Sequence, residues 1–125
     1  MEAKLADMIG VTMKDVSAVK GGDVMRFVAM DGRVWELYHE QDCCESVSIE
    51  DITGNLGDLV GSPILMADES TSEKGDPAPQ YPDSWTWTFY KFATVKGYVD
   101  VRWLGESNGY YSESVYFRQV EGGPA

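Results

Sequence analysis

The chain has 125 residues, with ten Lys and Arg against twenty-one Asp and Glu, for a net charge of −11. This length predicts one domain with a single core. The acid surplus argues against direct binding of nucleic acid, which needs clustered cations to displace counterions from phosphates. No run approaches the ~20 apolar residues of a membrane span. The charged opening Met1-Glu2-Ala3-Lys4 is not an export signal, so a soluble cytoplasmic protein is expected.

Leu5, Met8 and Ile9 fall at the spacing of one or two turns of amphipathic helix, ended by Gly10. A short strand is predicted over Val16–Lys20, and a second over Val24–Met30 with Met25, Phe27 and Ala29 on one face. Asp31-Gly32 is a tight-hairpin signal. It leads into Arg33–His39, where Trp35, Leu37 and His39 share a face opposite Glu36, Tyr38 and Glu40. Next come a dense polar turn and a strand over Glu45–Asp51, with Glu45, Val47 and Ile49 on one side. Pairing these two strands as a hairpin with residue numbers summing to 84 sets Trp35 against Ile49, Leu37 against Val47 and His39 against Glu45. All six then lie on one side of the sheet.

Asn55 is positioned to cap a short helical turn, Leu56–Val60. A brief strand at Ile64–Ala67 and a polar, Pro-broken loop over 68–84, expected to be mobile, follow. Trp85–Thr94 places Trp85, Trp87 and Phe89 on one face and Thr86, Thr88, Tyr90 and Phe92 on the other. That pattern fits a central strand covered on both sides, or a bulge near Tyr90. Lys96-Gly97 turns the chain into Tyr98–Leu104, and Asn108-Gly109 is a further hairpin turn before Glu113–Val120, with a bulge or longer loop expected there. Residues 121–125 read as a frayed tail. The whole is a mainly β domain of about seven or eight antiparallel strands, as one sheet, a small sandwich or an open barrel.

Chemistry concentrates in Tyr38-His39-Glu40-Gln41-Asp42-Cys43-Cys44-Glu45-Ser46, which holds the one histidine and both cysteines. Adjacent Cα atoms lie about 3.8 Å apart, below the usual disulfide window, so two reduced thiols are expected. Zinc would need four ligands converging. Neighbouring strand residues point to opposite faces, and a second Cys pair is missing, so neither metal nor cofactor is expected. Cys43 or Cys44 with His39 and Glu45 outlines a nucleophile, base and orienter for an enzyme. The structural alternative has Glu45 accepting a hydrogen bond from His39, with a cysteine as a small buried apolar group. The rigid turn then presents its neighbours to a partner. A weak repeat, Glu45-Ser46-Val47 and Glu113-Ser114-Val115, suggests two carboxylates at equivalent ends of two hairpins.

The window Val34–Glu73 carries ten acids and no Lys or Arg. It points to a host protein with a basic surface as partner. The binding residues expected are Glu36, Tyr38, Glu40, Asp42 and Glu45 around the first turn, and Glu106, Asn108, Tyr110, Tyr111 and Glu113 around the second. A small nucleotide-like ligand between Trp103, Tyr110 and Tyr111 is an alternative, weakened by the shortage of cations for phosphate.

The run from Trp35 to Ile52, together with Gly61-Ser62-Pro63-Ile64-Leu65, Trp85–Thr94 and Gly105–Val115, resembles a family of small uncharacterised proteins encoded by phages and by bacteria carrying prophages. The resemblance extends from Ile9 to Phe117 and implies no activity. It implies a viral gene context, and with it a counter-defence or host-takeover role exerted by binding.

Overall fold

The computed structural model describes residues 3–73 and 84–121. Eight antiparallel strands form two four-stranded sheets packed face to face. The strands are β1 (Met13–Ser17), β2 (Val24–Ala29), β3 (Val34–Tyr38), β4 (Ser46–Thr53), β5 (Met66–Glu73), β6 (Ser84–Thr94), β7 (Gly97–Ser107) and β8 (Tyr116–Glu121). The first sheet runs β1-β2-β3-β8 and the second β4-β7-β6-β5. Among the described residues, helical structure is limited to two 3₁₀ turns, Leu5–Met8 and Leu56–Leu59, the second capped by Asn55 Oδ1 accepting from the Gly57 amide. The mainly β expectation holds, in its sandwich form.

Alternation of apolar side chains explains the layers. Met25, Phe27, Trp35 and Leu37 of the first sheet meet Val47, Ile49, Tyr90, Phe92, Val99, Val101 and Trp103 of the second in one buried core. Phe27 and Phe92 meet edge-on across it with ring centres 5.0 Å apart, an arrangement worth about 0.5–1.5 kcal/mol beyond area burial. The Asp31-Gly32 turn joins β2 to β3 as expected, with Gly32 at φ 97°, a conformation that costs Gly nothing and a β-carbon much more.

Pairing departs from expectation in three places. First, β3 does not pair with β4: it lies between β2 and β8, while β4 pairs with β7 in the other sheet. Second, Asn108-Gly109 does not close a hairpin, because β8 leaves β7 and joins β3, pairing Tyr38 with Tyr116. Third, the expected loop 68–84 is strand in its first part, since β5 pairs with β6 through Glu73–Thr86. The remainder, 74–83, lies outside the described residues, as does 122–125 of the expected tail. β6 is central in its sheet and pairs without a bulge along β5 and β7, but it is covered on one side only, with Phe89 and Lys91 exposed on the outer face.

Candidate functional site

Two segments cross between the sheets at the same end of the sandwich. Residues 39–45 carry the chain from β3 to β4, and residues 108–115 carry it back from β7 to β8. His39 ties them together. Its Nε2 donates to Glu45 Oε2 at 3.0 Å and its Nδ1 donates to the Ser114 carbonyl at 2.7 Å. Both partners are acceptors only, so both contacts are hydrogen bonds only for the doubly protonated ring. The ring also stacks on Tyr116 at 5.8 Å, and Tyr116 Oη shares a hydrogen bond with Ser112 Oγ. The His39 and Glu45 side chains are 2% and 0% exposed.

Burying a carboxylate is costly unless donors replace its water. Glu45 receives a full set: the Cys43 amide at 2.9 Å, the Asp42 amide at 3.1 Å, Gln41 Nε2 at 3.1 Å and His39. The hydrogen bond from His39 holds its carboxyl down at about 2. Burial pushes the other way, and the Cys43 and Asp42 amides reinforce the lowering. Gln41 Nε2 also reaches the carbonyls of Cys43 and Glu45.

The Glu-Ser-Val repeat has a structural counterpart, though not in paired hairpins. Glu113 closes the second crossover as Glu45 closes the first, accepting from Thr86 Oγ1 at 2.8 Å and Ser107 Oγ at 2.5 Å. Its backbone passes directly over Gly105, where a β-carbon would strike the Glu113 carbonyl and lie 2.7 Å from its Cβ.

The expected contact between His39 and Glu45 is therefore present, but it spans a crossover rather than a two-stranded ladder. Cys43 and Cys44 are not free thiols. They are joined to each other as a vicinal disulfide with Cα atoms 3.7 Å apart. Both are exposed, so neither serves as a buried apolar group. His39 spends both nitrogens on Glu45 and Ser114, and no hydrogen bond links it to either sulfur. The nucleophile-base pair expected of an enzyme is thus not assembled in this state. Among the described residues, no group of three or more His, Cys, Asp or Glu side chains is placed to hold a metal ion.

The other expected binding residues divide. Glu40, Asp42, Asn108 and Tyr110 are exposed on the two crossovers, Tyr110 at 90%, and Tyr111 packs against it at 6.3 Å. Glu106 lies partly exposed on β7, opposite Ser46. Glu36 is engaged by Arg118 at 3.0 Å and by Arg26 at 3.9 Å, while Tyr38 lies beneath the Arg118 guanidinium at 4.0 Å. Trp103 is fully buried in the core and cannot stack a ligand with Tyr110 and Tyr111. The ten acids of the 34–73 window do not form one face. Glu36 lies on the first sheet, Glu50 and Glu69 on the second, bonded to Arg102 and Tyr90, and Glu45 is interior. Sequence reasoning passes over Gln41, Thr86, Ser107 and the Ser114 carbonyl. Gln41 and Ser114 sit beside residues it did single out, but nothing in the spacing marks Thr86 or Ser107.

The fold and this junction define a small antiparallel β-sandwich with two clasped crossover loops at one end and acidic, aromatic and amide side chains on them. A family model described as a domain of unknown function (DUF7448) matches residues 6–117, and the chain belongs to that family. Neither the curated proteins nor the solved structures contain a match. Among the described residues, no helix is long and apolar enough to cross a membrane.

Proposed function

We propose that this chain is a non-catalytic protein-binding module that recognises its partner with the two crossover loops. One observation carries the reading: His39 locks both loops into a single surface on which Tyr110 is 90% exposed beside further exposed polar and acidic groups. Loops fixed on a rigid sandwich are where recognition residues gather. The run Asn108-Gly109-Tyr110-Tyr111-Ser112 has the Tyr, Ser, Gly and Asn composition of binding loops, in which tyrosine supplies contact area at low entropic cost. Glu40 and Asp42 give the surface a negative sign, which suits a partner with a basic face. The likeness to phage-encoded proteins supports a finer reading, a counter-defence or host-takeover factor that blocks a basic, nucleic-acid-binding host protein in the host cytoplasm.

The test is capture of partners from host lysate on the immobilised chain, followed by affinity measurement on the purified pair. Tyr110→Ala is expected to weaken binding by about 2 kcal/mol, roughly 30-fold, as a central aromatic anchor does. Asp42→Lys should lower the association rate, and binding should weaken as salt rises from about 0.1 to about 1 M. A partner held equally well at high salt and by both variants would refute the surface and its sign.

A further inference from the structure

We propose that Cys43 and Cys44 form a reversible two-electron site at the apex of the 39–45 crossover, with a small dithiol or its disulfide as exchange partner. The inference stands apart from whatever the loop end binds. Both residues are exposed, so a thiol in solution can reach either sulfur. The loop is held by contacts that involve no sulfur. The Cys43 amide donates to Glu45 Oε1, the Cys43 carbonyl accepts from Gln41 Nε2, the Glu45 carbonyl accepts from the same Nε2, and the Asp42 amide donates to Glu45 Oε2. His39 anchors that carboxylate from the other side. Breaking the bond between the sulfurs therefore leaves the loop frame standing. The two thiols stay adjacent, and their rejoining is intramolecular.

The exchange runs in two displacements. A thiolate of the small dithiol, its proton given to solvent, attacks one cysteine sulfur. The bond between the cysteine sulfurs breaks, and the departing sulfur takes a proton from solvent, leaving a mixed disulfide. The second thiol of the small molecule then attacks that mixed disulfide, closes its own disulfide and releases the second cysteine as a thiol. The protein gains two electrons and two protons, and the dithiol loses them. Reduction replaces a closed ring at the apex with two independent polar thiols, while Glu45 and His39 keep their places.

The experiment holds the full chain without oxygen in mixtures of dithiothreitol and oxidised dithiothreitol, quenches with acid, and labels free thiols with N-ethylmaleimide for intact-mass measurement. The expected result is a mixture of chains with no label and chains with two, the proportion moving with the mixture and returning when the mixture is reversed. Amide signals of Cys43 and Cys44 should shift between the two forms, with those of Trp35 and Val47 unchanged. Two labels in every mixture would overturn the proposal, as would none in excess dithiothreitol. Covalent dimers as the main oxidised product would overturn it equally. Cys44→Ser should carry one label throughout, and if that chain does not fold, the labelling of the unaltered chain still decides.

Discussion

Glu45 gathers the donors of its own turn around a buried charge, and its substitution should therefore show in acid. Its carboxyl titrates at about 2 when folded against an ordinary 4.5. A depressed folded value means that the stabilisation is complete above the ordinary value and is withdrawn as pH falls from 4.5 through about 2. Urea unfolding across that range should show wild type losing stability steadily, whereas Glu45→Gln should start lower and lose less. Equal slopes would mean the charge is not held as described. His39→Ala removes the hydrogen bond that ties the crossovers at Ser114 and the one that braces Glu45 within the first, and two lost hydrogen bonds, one of them to a charged group, should cost about 2–4 kcal/mol in the same measurement. Loss below about 0.5 kcal/mol would show that the loops hold together without the ring. The His39–Glu45 contact was legible from the sequence because the two residues lie at matching parity across a short turn. The state of the cysteines was not, since spacing alone favours two thiols and only the turn's shape brings the sulfurs together.

Strand positions follow from alternating side chains, and all eight expected strand regions overlap observed ones. Strand partners do not follow in the same way. The register that seemed to pair β3 with β4 matched Trp35 to Ile49 and Leu37 to Val47, and all four residues do share one core. They meet across the sandwich rather than along one sheet. Two strands joined by a crossover bury the same parity toward each other as two strands joined by a hairpin, so apolar matching cannot tell these arrangements apart. The β7–β8 segment misled for the same reason, and the bulge or longer loop that a hairpin there would have needed was the sign that the chain changes sheets. The close passage of Glu113 over Gly105 is specific to this arrangement. Gly105→Ala should therefore cost about 1–3 kcal/mol by urea unfolding, the range for forcing atoms into a filled space. A β7–β8 hairpin would tolerate it. At the opposite edge, Tyr90 is buried and its hydroxyl donates to Glu69 Oε2 at 2.5 Å, tying β5 to β6. Burial first, and then the Glu69 carboxylate, push that phenol well above the usual tyrosine range. Tyr90→Phe should cost about 1 kcal/mol and speed amide exchange in β5 more than in β4. Uniform exchange across both strands would contradict that local tie.

At the scale of the whole molecule, the acids are distributed so that a few are neutralised and the rest repel. Glu36 takes Arg118 and Arg26, Glu50 takes Arg102, and Asp31 takes Arg33, whose hydrogen bond to it lowers the Asp31 carboxyl below its ordinary value. These pairs lie partly exposed on the outer faces, where each contributes at most about 1 kcal/mol. Against them stands a net charge of −11 on 125 residues, which the sequence makes plain but whose placement it does not. The ten acids of the 34–73 window belong to both sheets, one crossover and the Leu56–Leu59 turn, because β3 and β4 diverge into different layers. A contiguous run in sequence becomes a shell rather than a patch. Salt then acts in two directions, weakening the pairs and screening the repulsion, and the repulsion is the larger sum because it involves every unpaired acid. Raising ionic strength from about 0.01 to about 0.15 M shortens the screening length from ~30 to ~8 Å. The melting temperature should accordingly rise by a few degrees in that interval. A fall would show that the ion pairs outweigh the shell, and that the acids are arranged for cohesion rather than for a cationic partner.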